Sequence, residues 1–489
     1  MTRPWVRWRR KAAAALLGTA VLGAAANELP ASVQAAMKRA QLPPEALVVQ
    51  VIEVGTPGAA APRLSHRAQQ PVNPASLMKL YTTGAALELL GPAWAWATPV
   101  LTTGATVDGV LLGDLVIQGR GDPTLVIERL WLLMRQVQAR GIREIRGDIV
   151  LDGSAFPAPN GEPGDFDGER YRPYNVQPDA LLLNLKSITL TFTPDVARGV
   201  ARVASDVSLA GVQIDPTVPL GNGGDCGDWR GALKPDFTDP LRLRLTGLYP
   251  PGCGEKSWPI AYAEPRSYNV RLVEAVWRDL GGKLLGRVRD GAVPAGAQPL
   301  FEASSPPLAS VIRDINKFSN NVMAQQLFLT LGLTVAPVNR PASAPTGPAE
   351  AAREVVRGQV RSRAGCSDAE FSIDNGSGLS RQSRSSARCM AAWLQALWAS
   401  PVMPELASSL PLTGIDGTAR RPGRLWGAAL GRAHLKTGSL RDAMGLAGYV
   451  LGQSGRRYAL VVIVNHPNAG AARPVLDALV QWAAEDQDR

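Results

Sequence analysis

Three short motifs that can supply one reaction centre lie far apart in this chain, and their spacing constrains the fold more than any other feature. Ser76 and Lys79 stand three residues apart, Ser319 and Asn321 form Ser-x-Asn, and Lys436-Thr437-Gly438-Ser439 follows near the end. Ser319 comes 243 residues after Ser76, far more than one catalytic domain needs there. The fold must therefore bring distant segments together and accommodate a large insertion.

Ser76 and Lys79 are predicted to share one face of a helix that runs to about Leu90. Pro74 suits a first helical turn, where its missing N–H would have no partner anyway. Residues i and i+3 lie on the same helix face, so the Lys79 amine can reach the Ser76 oxygen. Serine is a poor nucleophile without an adjacent base, and a lysine held neutral can be that base. A solvated lysine on an ordinary helix is the alternative for this motif alone.

The other two motifs differ in how much they indicate. Lysine is scarce, with nine against 43 arginines, so Lys436-Thr437-Gly438 is a specific signal. Ser-x-Asn alone is equally typical of a loop that caps a helix. In this order, the three motifs are close to the signature of penicillin-binding proteins and serine β-lactamases, with Asn320 where that pattern has Asp.

The start of the chain is predicted to be a secretory signal peptide spanning residues 1–26. Five positive charges precede an apolar run at residues 12–23, and Ala24-Ala25-Ala26 offers small residues for cleavage. The apolar run is short for a membrane span, although an uncleaved anchor is the alternative. An exported, periplasmic protein is therefore expected.

The net charge argues against nucleic acid as a partner. Cleavage of residues 1–26 would remove five positive charges and no acid, lowering the formal charge from +10 to +5. That surplus is too mild for a nucleic-acid-binding protein but suits contact with an anionic polymer. The acidic C-terminal helix lacks a basic amphipathic face, so at most peripheral membrane contact is expected.

The cysteines indicate disulfides rather than a metal site. The chain has four cysteines without Cys-x-x-Cys spacing and only three histidines, which disfavours zinc. In an exported protein, Cys226 is expected to pair with Cys253 and Cys366 with Cys389. Reduced, buried cysteines are the alternative. No cofactor is expected.

Hydrophobic patterning predicts one sheet built from both ends of the chain. A helix at residues 29–42 precedes strands at residues 46–52 and around His66. Near the end, strands at residues 434–440, 443–451 and 458–465 precede a helix at residues 472–486. Two early and three late strands are predicted to form one antiparallel sheet flanked by the terminal helices. Residues 96–290 contain short alternating runs separated by turns and are predicted to be mainly β.

With these residues in view, the chain resembles the low-molecular-mass class C penicillin-binding proteins, the D-alanyl-D-alanine carboxypeptidase/endopeptidase family. The resemblance covers most of the mature chain. Besides the three motifs, the matching stretches are Gly121-Asp122-Pro123-Thr124-Leu125, Tyr174-Asn175-Val176, residues 374–381, residues 414–418 and Val464-Asn465-His466-Pro467-Asn468.

The resemblance implies an α/β transpeptidase/β-lactamase-like catalytic domain, an antiparallel sheet flanked by helices, with two nested, mainly β inserted domains. On this basis the catalytic domain comprises residues 27–95 and 290–489. Inserted domain II comprises residues 96–165 and 262–289, and nested domain III comprises residues 166–261.

The resemblance also implies roles for the motif residues. Ser76 would attack the D-Ala-D-Ala carbonyl of peptidoglycan stem peptides, with Lys79 as base. Asn321 would hold the geometry and Ser319 would pass a proton to the leaving amine. Lys436, Thr437, Gly438 and Ser439 would bind the substrate carboxylate, and the N–H groups of Ser76 and Ser439 would stabilise the oxyanion. β-Lactams would be covalent inhibitors.

Two other functions are compatible with the motifs. A serine β-lactamase shares the chemistry but needs a dedicated deacylation base, and no acidic residue lies in a recognisable motif of that kind. A catalytically inactive wall-binding protein is the second, although such a protein would be expected to have lost Ser76, Lys79 or Lys436. The balance between carboxypeptidase and endopeptidase activity stays open.

Overall fold

The computed structural model describes residues 28–55, 61–157, 161–223, 225–335, 347–420 and 426–486, and the predicted signal peptide lies outside them. The helices within these ranges are α1 Ala31–Arg39, α2 Lys79–Leu90, α3 Ile127–Ala139, α4 Trp229–Ala232, α5 Pro265–Asp279, α6 Leu308–Phe318, α7 Asn321–Thr334, α8 Pro348–Ala364, α9 Ala387–Trp398, α10 Met403–Ser409 and α11 Arg473–Ala484.

The strands fall into several sheets. In chain order they are β1 Leu47–Glu53, β2 Leu64–His66, β3 Ala97–Thr102, β4 Thr106–Val107, β5 Val110–Leu111, β6 Leu115–Gln118, β7 Glu144–Ile145, β8 Ile149–Asp152, β9 Ser187–Asp195, β10 Val200–Ser205, β11 Gln213–Ile214, β12 Thr217–Pro219, β13 Pro235–Asp236, β14 Arg242–Leu245, β15 Lys256–Ala261, β16 Lys283–Leu284, β17 Val288–Asp290, β18 Gln298–Ser304, β19 Phe371–Ser372, β20 Arg384–Ser385, β21 Ala433–Leu440, β22 Ala443–Leu451 and β23 Arg457–Asn465.

The chain folds as two compact units. Among the described residues, the first unit contains those up to Leu77, Val360–Ser372 and those from Arg381 onward. The second contains Met78–Gln359 and Ile373–Ser380. The boundary between the units therefore passes between Leu77 and Met78, inside the first motif.

The first unit is built on an antiparallel sheet of order β2-β1-β23-β22-β21. Two early and three late strands form it, as the patterning predicted. Alternate residues such as Leu47, Leu446 and Val462 form a buried core with residues of α1 and α11, so the terminal helices cover one face.

The opposite face of this sheet carries α9 and the segment that contains Ser76. Tyr449, which alternates with the core residue Val450, donates from its hydroxyl to the Leu394 carbonyl of α9 at 2.8 Å. Only a glycine fits at position 445, because a Cβ there would lie 2.9 Å from Leu77 Cδ1. The segment that contains Ser76 therefore packs directly against the sheet.

The second unit contains α/β as well as β architecture. One sheet has the order β17-β8-β6-β3-β18, in which β6, β8 and β17 run parallel. α3 connects β6 to the parallel strand β8 in a β-α-β connection, whereas α5 lies between β15 of another sheet and the strands β16 and β17. The remaining sheets have the orders β16-β7-β5-β4, β12-β10-β9-β15 and β11-β14-β13.

Parts of this unit differ from the architecture predicted from the sequence. The region predicted to be mainly β also contains α3 and α5, of 13 and 15 residues, whose apolar stripes complete the core of the parallel strands. The apolar run at residues 111–118 is split between β5 and β6, which belong to different sheets. Periodicity over so few residues cannot reveal such a split, because pairing partners decide it.

Both expected disulfides are formed, one in each unit. Cys226 bonds to Cys253 and Cys366 bonds to Cys389. The second bridge ties the end of α8 to α9, the helix that covers the sheet on the nucleophile side. None of the helices within the described ranges is long and apolar enough to span a bilayer.

Candidate active site

Ser76 lies in a tight turn rather than in regular α-helix. Residues Ala75–Met78 form a 3-10 turn that leads directly into α2 at Lys79. Ser76 is half-buried, whereas Ala75 and Leu77 on either side of it are buried. Ala75 has a φ of 49°, a left-handed conformation that a residue with a Cβ adopts rarely. The surrounding structure must therefore hold this turn in place.

Two asparagines hold the turn from below. The Asn73 N–H donates to Asn465 Oδ1 at 2.8 Å, and Asn465 Nδ2 donates to the Asn73 carbonyl at 2.9 Å. The Asn73 side chain in turn accepts from the Ala75 N–H at 2.9 Å. Asn465 ends β23, so the two hydrogen bonds between its side-chain amide and the Asn73 backbone attach the turn of Ser76 to the sheet.

The Lys-Thr-Gly motif lies on β21, against the turn Ala75–Met78 that contains Ser76. A Cβ on Gly438 would lie 2.9 Å from the Pro74 carbonyl oxygen and 3.1 Å from Leu77 Cγ. Lys436 is two residues before Gly438 and projects to the same face of the sheet. The glycine in this motif is thus explained by a close approach of the backbone of the turn.

Lys436 is fully buried, and its amine donates to the Thr437 carbonyl at 2.8 Å. Desolvation disfavours the charged amine and lowers the pKa of Lys436 to about 7. An incoming carboxylate would favour the charged form of this amine, so the group is suited to binding an anion.

β21 is the edge strand of its sheet, and its outer edge is partly open to a ligand. The Leu435 N–H donates outward to the Pro411 carbonyl at 2.8 Å. Backbone groups alternate along a strand, so the N–H groups of Thr437 and Ser439 point to the same outer side. The Thr437 hydroxyl donates to Thr418 Oγ1 at 2.8 Å, a contact that sequence reasoning missed.

Lys79 in the second unit is completely buried at the start of α2. Its amine donates to Asn321 Oδ1 at 2.6 Å and to the Ser377 carbonyl at 2.6 Å. Both acceptors are neutral, so within these contacts no carboxylate fixes the positive charge on the amine. The structure thus brings the lysine of the first motif to the asparagine of the second across 242 residues of chain.

The Ser-x-Asn motif forms a loop that caps a helix, and it also supplies the side chain that accepts from Lys79. Ser319 ends α6 in the left-handed conformation, with a φ of 56°. Asn320 caps α7 by accepting from the Met323 N–H at 3.1 Å. Asn is as good an N-cap as Asp, so the departure from the usual pattern keeps this function. Asn321 then begins α7 with its side chain toward Lys79.

Two contacts of the Lys79–Asn321 pair were not foreseen. Asn321 Nδ2 donates to the Tyr174 carbonyl at 3.2 Å, so the segment of Tyr174 orients the amide. The Ser377 carbonyl belongs to residues 374–381, which the sequence singled out only as a stretch that carries the family resemblance. Gly376 in this stretch has a φ of 73°, and its carbonyl accepts from the Thr82 hydroxyl at 2.7 Å. The sequence signal for these contacts was the glycine- and serine-rich composition of residues 374–381, which is typical of tight turns with exposed backbone groups.

The predicted residues therefore fall into two groups. In the first unit Ser76 lies beside the strand of Lys436, Thr437, Gly438 and Ser439. The second unit contains Lys79, Ser319 and Asn321, and of these Lys79 donates to Asn321. Across the described residues, no group of three or more His, Cys, Asp or Glu side chains is arranged to hold a metal ion.

The D-Ala-D-Ala carboxypeptidase 3 (S13) family model matches residues 29–486. The chain belongs to this family. It is a low-molecular-mass class C penicillin-binding protein and a serine-type D-Ala-D-Ala carboxypeptidase, a D,D-peptidase of peptidoglycan.

Individual relatives agree in sequence and in fold. The D-alanyl-D-alanine carboxypeptidase of Actinomadura sp. (strain R39) is 28% identical over 435 residues, covering 84% of this chain and 77% of that protein. The crystal structure of penicillin-binding protein 4 from Haemophilus influenzae has a TM-score of 0.72 at 22% identity, covering 92% of this chain and 98% of that chain. A complex of that protein with a β-lactam has a TM-score of 0.69, again at 22% identity, with 93% and 100% covered.

Substituting Gly438→Ala should displace the turn that contains Ser76. The new Cβ would lie 2.9 Å from a backbone oxygen, so the strand or the turn has to shift. Because small misplacements of catalytic groups are costly, we expect a loss of about tenfold or more in acylation rate by labelled penicillin. Gly470→Ala, where a Cβ meets nothing within 4 Å, is the matched control. Equal rates for both variants would contradict this account.

Substituting Lys436→Met should stabilise the fold near pH 7 while impairing activity. The unfolded lysine titrates near 10.5 and the folded one at about 7, so the unfolded state binds more protons between these values. Stability therefore rises with pH across that window, and removing the amine relieves a cost that is largest at and below pH 7. We expect a gain of about 1 kcal/mol or more at pH 7, shrinking towards pH 10.5.

Urea unfolding at several pH values measures this effect. Lys38→Met, which alters an exposed lysine, should show no such pH dependence. A Lys436→Met protein that is less stable than the wild type at pH 7 would exclude the assigned pKa.

Proposed function

We propose that this D,D-peptidase uses Ser76 as its nucleophile and Lys79 as the base that activates it. The observation that supports this most is the buried Lys79 amine, held by two neutral oxygens, Asn321 Oδ1 and the Ser377 carbonyl. A neutral amine has two N–H bonds and one lone pair. Both of these oxygens are neutral hydrogen-bond acceptors that hold the amine in place, and a neutral amine held there can accept the Ser76 proton.

Acylation then proceeds by attack on the carbonyl carbon and departure of the amine. Ser76 Oγ attacks the carbonyl carbon of the D-alanyl residue while its proton passes to Lys79. The N–H groups of Ser76 and Ser439 stabilise the oxyanion, the arrangement that contributes most in other acyl-transfer enzymes. The C–N bond breaks as the Ser319 hydroxyl gives its proton to the departing amine and receives in exchange the proton that Lys79 took from Ser76. Water hydrolyses the resulting ester and regenerates Ser76.

Substrate binding is assigned to the Lys-Thr-Gly strand. The terminal carboxylate would pair with the Lys436 ammonium and accept hydrogen bonds from Thr437 and Ser439. Gly438 would let the strand approach the turn closely. A free terminal carboxylate favours removal of D-alanine, and cleavage of D-alanyl crosslinks uses the same acylation step with another leaving amine.

We also propose the setting in which this reaction occurs. Residues 1–26 would be a cleaved signal peptide, and the mature enzyme would act on peptidoglycan stem peptides in the periplasm. Residues 96–165 with 262–289 and residues 166–261 would be two nested inserts in a catalytic domain of residues 27–95 and 290–489. β-Lactams would acylate Ser76, as a β-lactam complex of the Haemophilus influenzae relative suggests by analogy.

Labelled penicillin and purified muropeptides test the proposal. The wild type should form an adduct at Ser76 that lasts minutes or longer, release D-alanine from pentapeptides and cut crosslinked dimers. Ser76→Ala should lose labelling and at least about a thousandfold of turnover, because the covalent route is removed. Rapid turnover of penicillin would indicate a β-lactamase, and undiminished release by Ser76→Ala would indicate that Ser76 is not the nucleophile.

Substituting Asn321→Asp tests the role of Lys79. A carboxylate in place of the neutral amide would hold the Lys79 amine in its charged form, which cannot accept a proton. We expect acylation at pH 7 to fall about a hundredfold or more and to recover as the pH is raised.

Asn320→Asp is the matched control, since it adds the same charge one residue earlier and preserves the helix cap. Its acylation rate should stay near that of the wild type. An Asn321→Asp enzyme with an unshifted pH profile would contradict the role of Lys79 as base.

A further inference from the structure

A cavity of about 540 Å³ opens in the second unit and has no part in the chemistry described above. Its walls include Gly153 and Ser154, directly after β8, and Asp290, at the end of β17. These two strands run parallel, so the cavity lies at their carboxyl ends. Ligands of open α/β sheets commonly bind at this position, and the volume is that of an ordinary small-molecule site.

One wall of the cavity is fastened to the helix that carries Asn321. Gln326 of α7 donates to the Asp179 carbonyl at 2.7 Å and accepts from the Asp179 N–H at 3.0 Å. Gln326 is fully buried and follows Asn321 by five residues, about 7.5 Å along the helix axis. Asn269 of α5 donates to the Leu181 carbonyl at 2.8 Å and fixes the same wall from the other side.

The polar groups of the cavity carry both signs of charge. Lys186 Nζ lies 2.5 Å from Asp179 Oδ2, and their side chains are only 12% and 23% exposed. The Asp290 side chain keeps contact with solvent, yet desolvation raises its pKa, with Asp179 adding to the effect and Lys186 opposing it. A ligand with a single charge would meet a like charge here, whereas a neutral ligand can use these groups without breaking the ion pair.

The chemistry of the walls therefore favours a neutral ligand rich in hydroxyl and amide groups. Its O–H and N–H groups can donate to the carboxylates, and its oxygens can accept from Lys186. Buried apolar side chains, Leu151, Phe156 and Leu181, complete the lining and suit a methyl group. An N-acetylated amino sugar combines hydroxyls, an amide and a methyl group in this way.

We propose that this cavity binds an N-acetylated amino sugar of the glycan to which the stem peptide is attached. This inference rests on the proposed function, because it assumes that the substrate is a glycan-linked peptide. Sugar binding would act through affinity for the intact substrate and leave the reaction at Ser76 unchanged. The inserted region would then recognise the polymer while the motif residues cleave it.

The test fills the cavity with the substitution Gly153→Phe. A Cβ at Gly153 meets only Asp179 Oδ1, at 3.5 Å, an ordinary contact, so the ring can enter the cavity without a backbone clash. We expect KM for a disaccharide-pentapeptide to rise about fivefold or more and KM for the sugar-free pentapeptide to stay unchanged. A binding titration with N,N′-diacetylchitobiose should detect binding to the full-length wild type and none to the full-length Gly153→Phe variant.

Gly358→Phe is the matched control, because a Cβ at this exposed helical position meets nothing within 4 Å. It should behave as the wild type with both substrates. Asp290→Ala is a second variant that removes one carboxylate without adding bulk, and it should weaken diacetylchitobiose binding while sparing the sugar-free peptide.

The outcomes separate this inference from the proposed function. Equal KM changes for the two substrates would mean that the cavity binds peptide, and unchanged values for both would mean that it binds neither. Either result, or a wild type that fails to bind diacetylchitobiose, overturns the inference. Labelling of Ser76 by penicillin in Gly153→Phe would still report on the proposed function independently.

Discussion

The rest of the site depends on keeping a lysine amine away from water. Lys79 and Lys436 are both fully buried, and taking an amine out of water disfavours its charged form. Two of the groups that hold the Lys79 amine are neutral oxygens, an amide oxygen and a backbone carbonyl. The same burial lowers the pKa of Lys436 to about 7. Buried ionisable groups of this kind are common at functional sites, and the proposed mechanism makes use of both amines.

Holding these groups in place requires contacts between segments that are remote in sequence. Asn73 pairs with Asn465 across 392 residues, and Lys79 donates to the Ser377 carbonyl across 298. Each contact uses a short, stiff group, either an asparagine amide or a backbone carbonyl. Groups of this kind lose little conformational entropy on ordering, so they suit positions where a shift of a few tenths of an ångström matters.

The segment around residues 174–179 contacts the helix that carries the second motif. The Tyr174 carbonyl accepts from the Asn321 amide, and Gln326 on the same helix holds the wall of the cavity through both backbone groups of Asp179. One helix, α7, therefore carries a motif residue at its start and supports the cavity wall about one and a half turns later. The motif asparagine and the cavity can share this support because α-helices are rigid over such a distance.

The sequence alone determined the family and the outline of the first unit. Ser76-x-x-Lys79, Ser319-x-Asn321 and Lys436-Thr437-Gly438 are local patterns from which the reaction centre is predicted by residue type and order, and the patterning near both termini predicted the five strands of one sheet. Only the tertiary structure decided that Ser377 supplies a carbonyl to Lys79, that the Tyr174 carbonyl accepts from Asn321, that a Cβ on Gly438 would meet the Pro74 oxygen, and that α3 joins parallel strands. These features depend on which segments meet in space, and contacts between residues hundreds of positions apart leave no local periodicity in the chain.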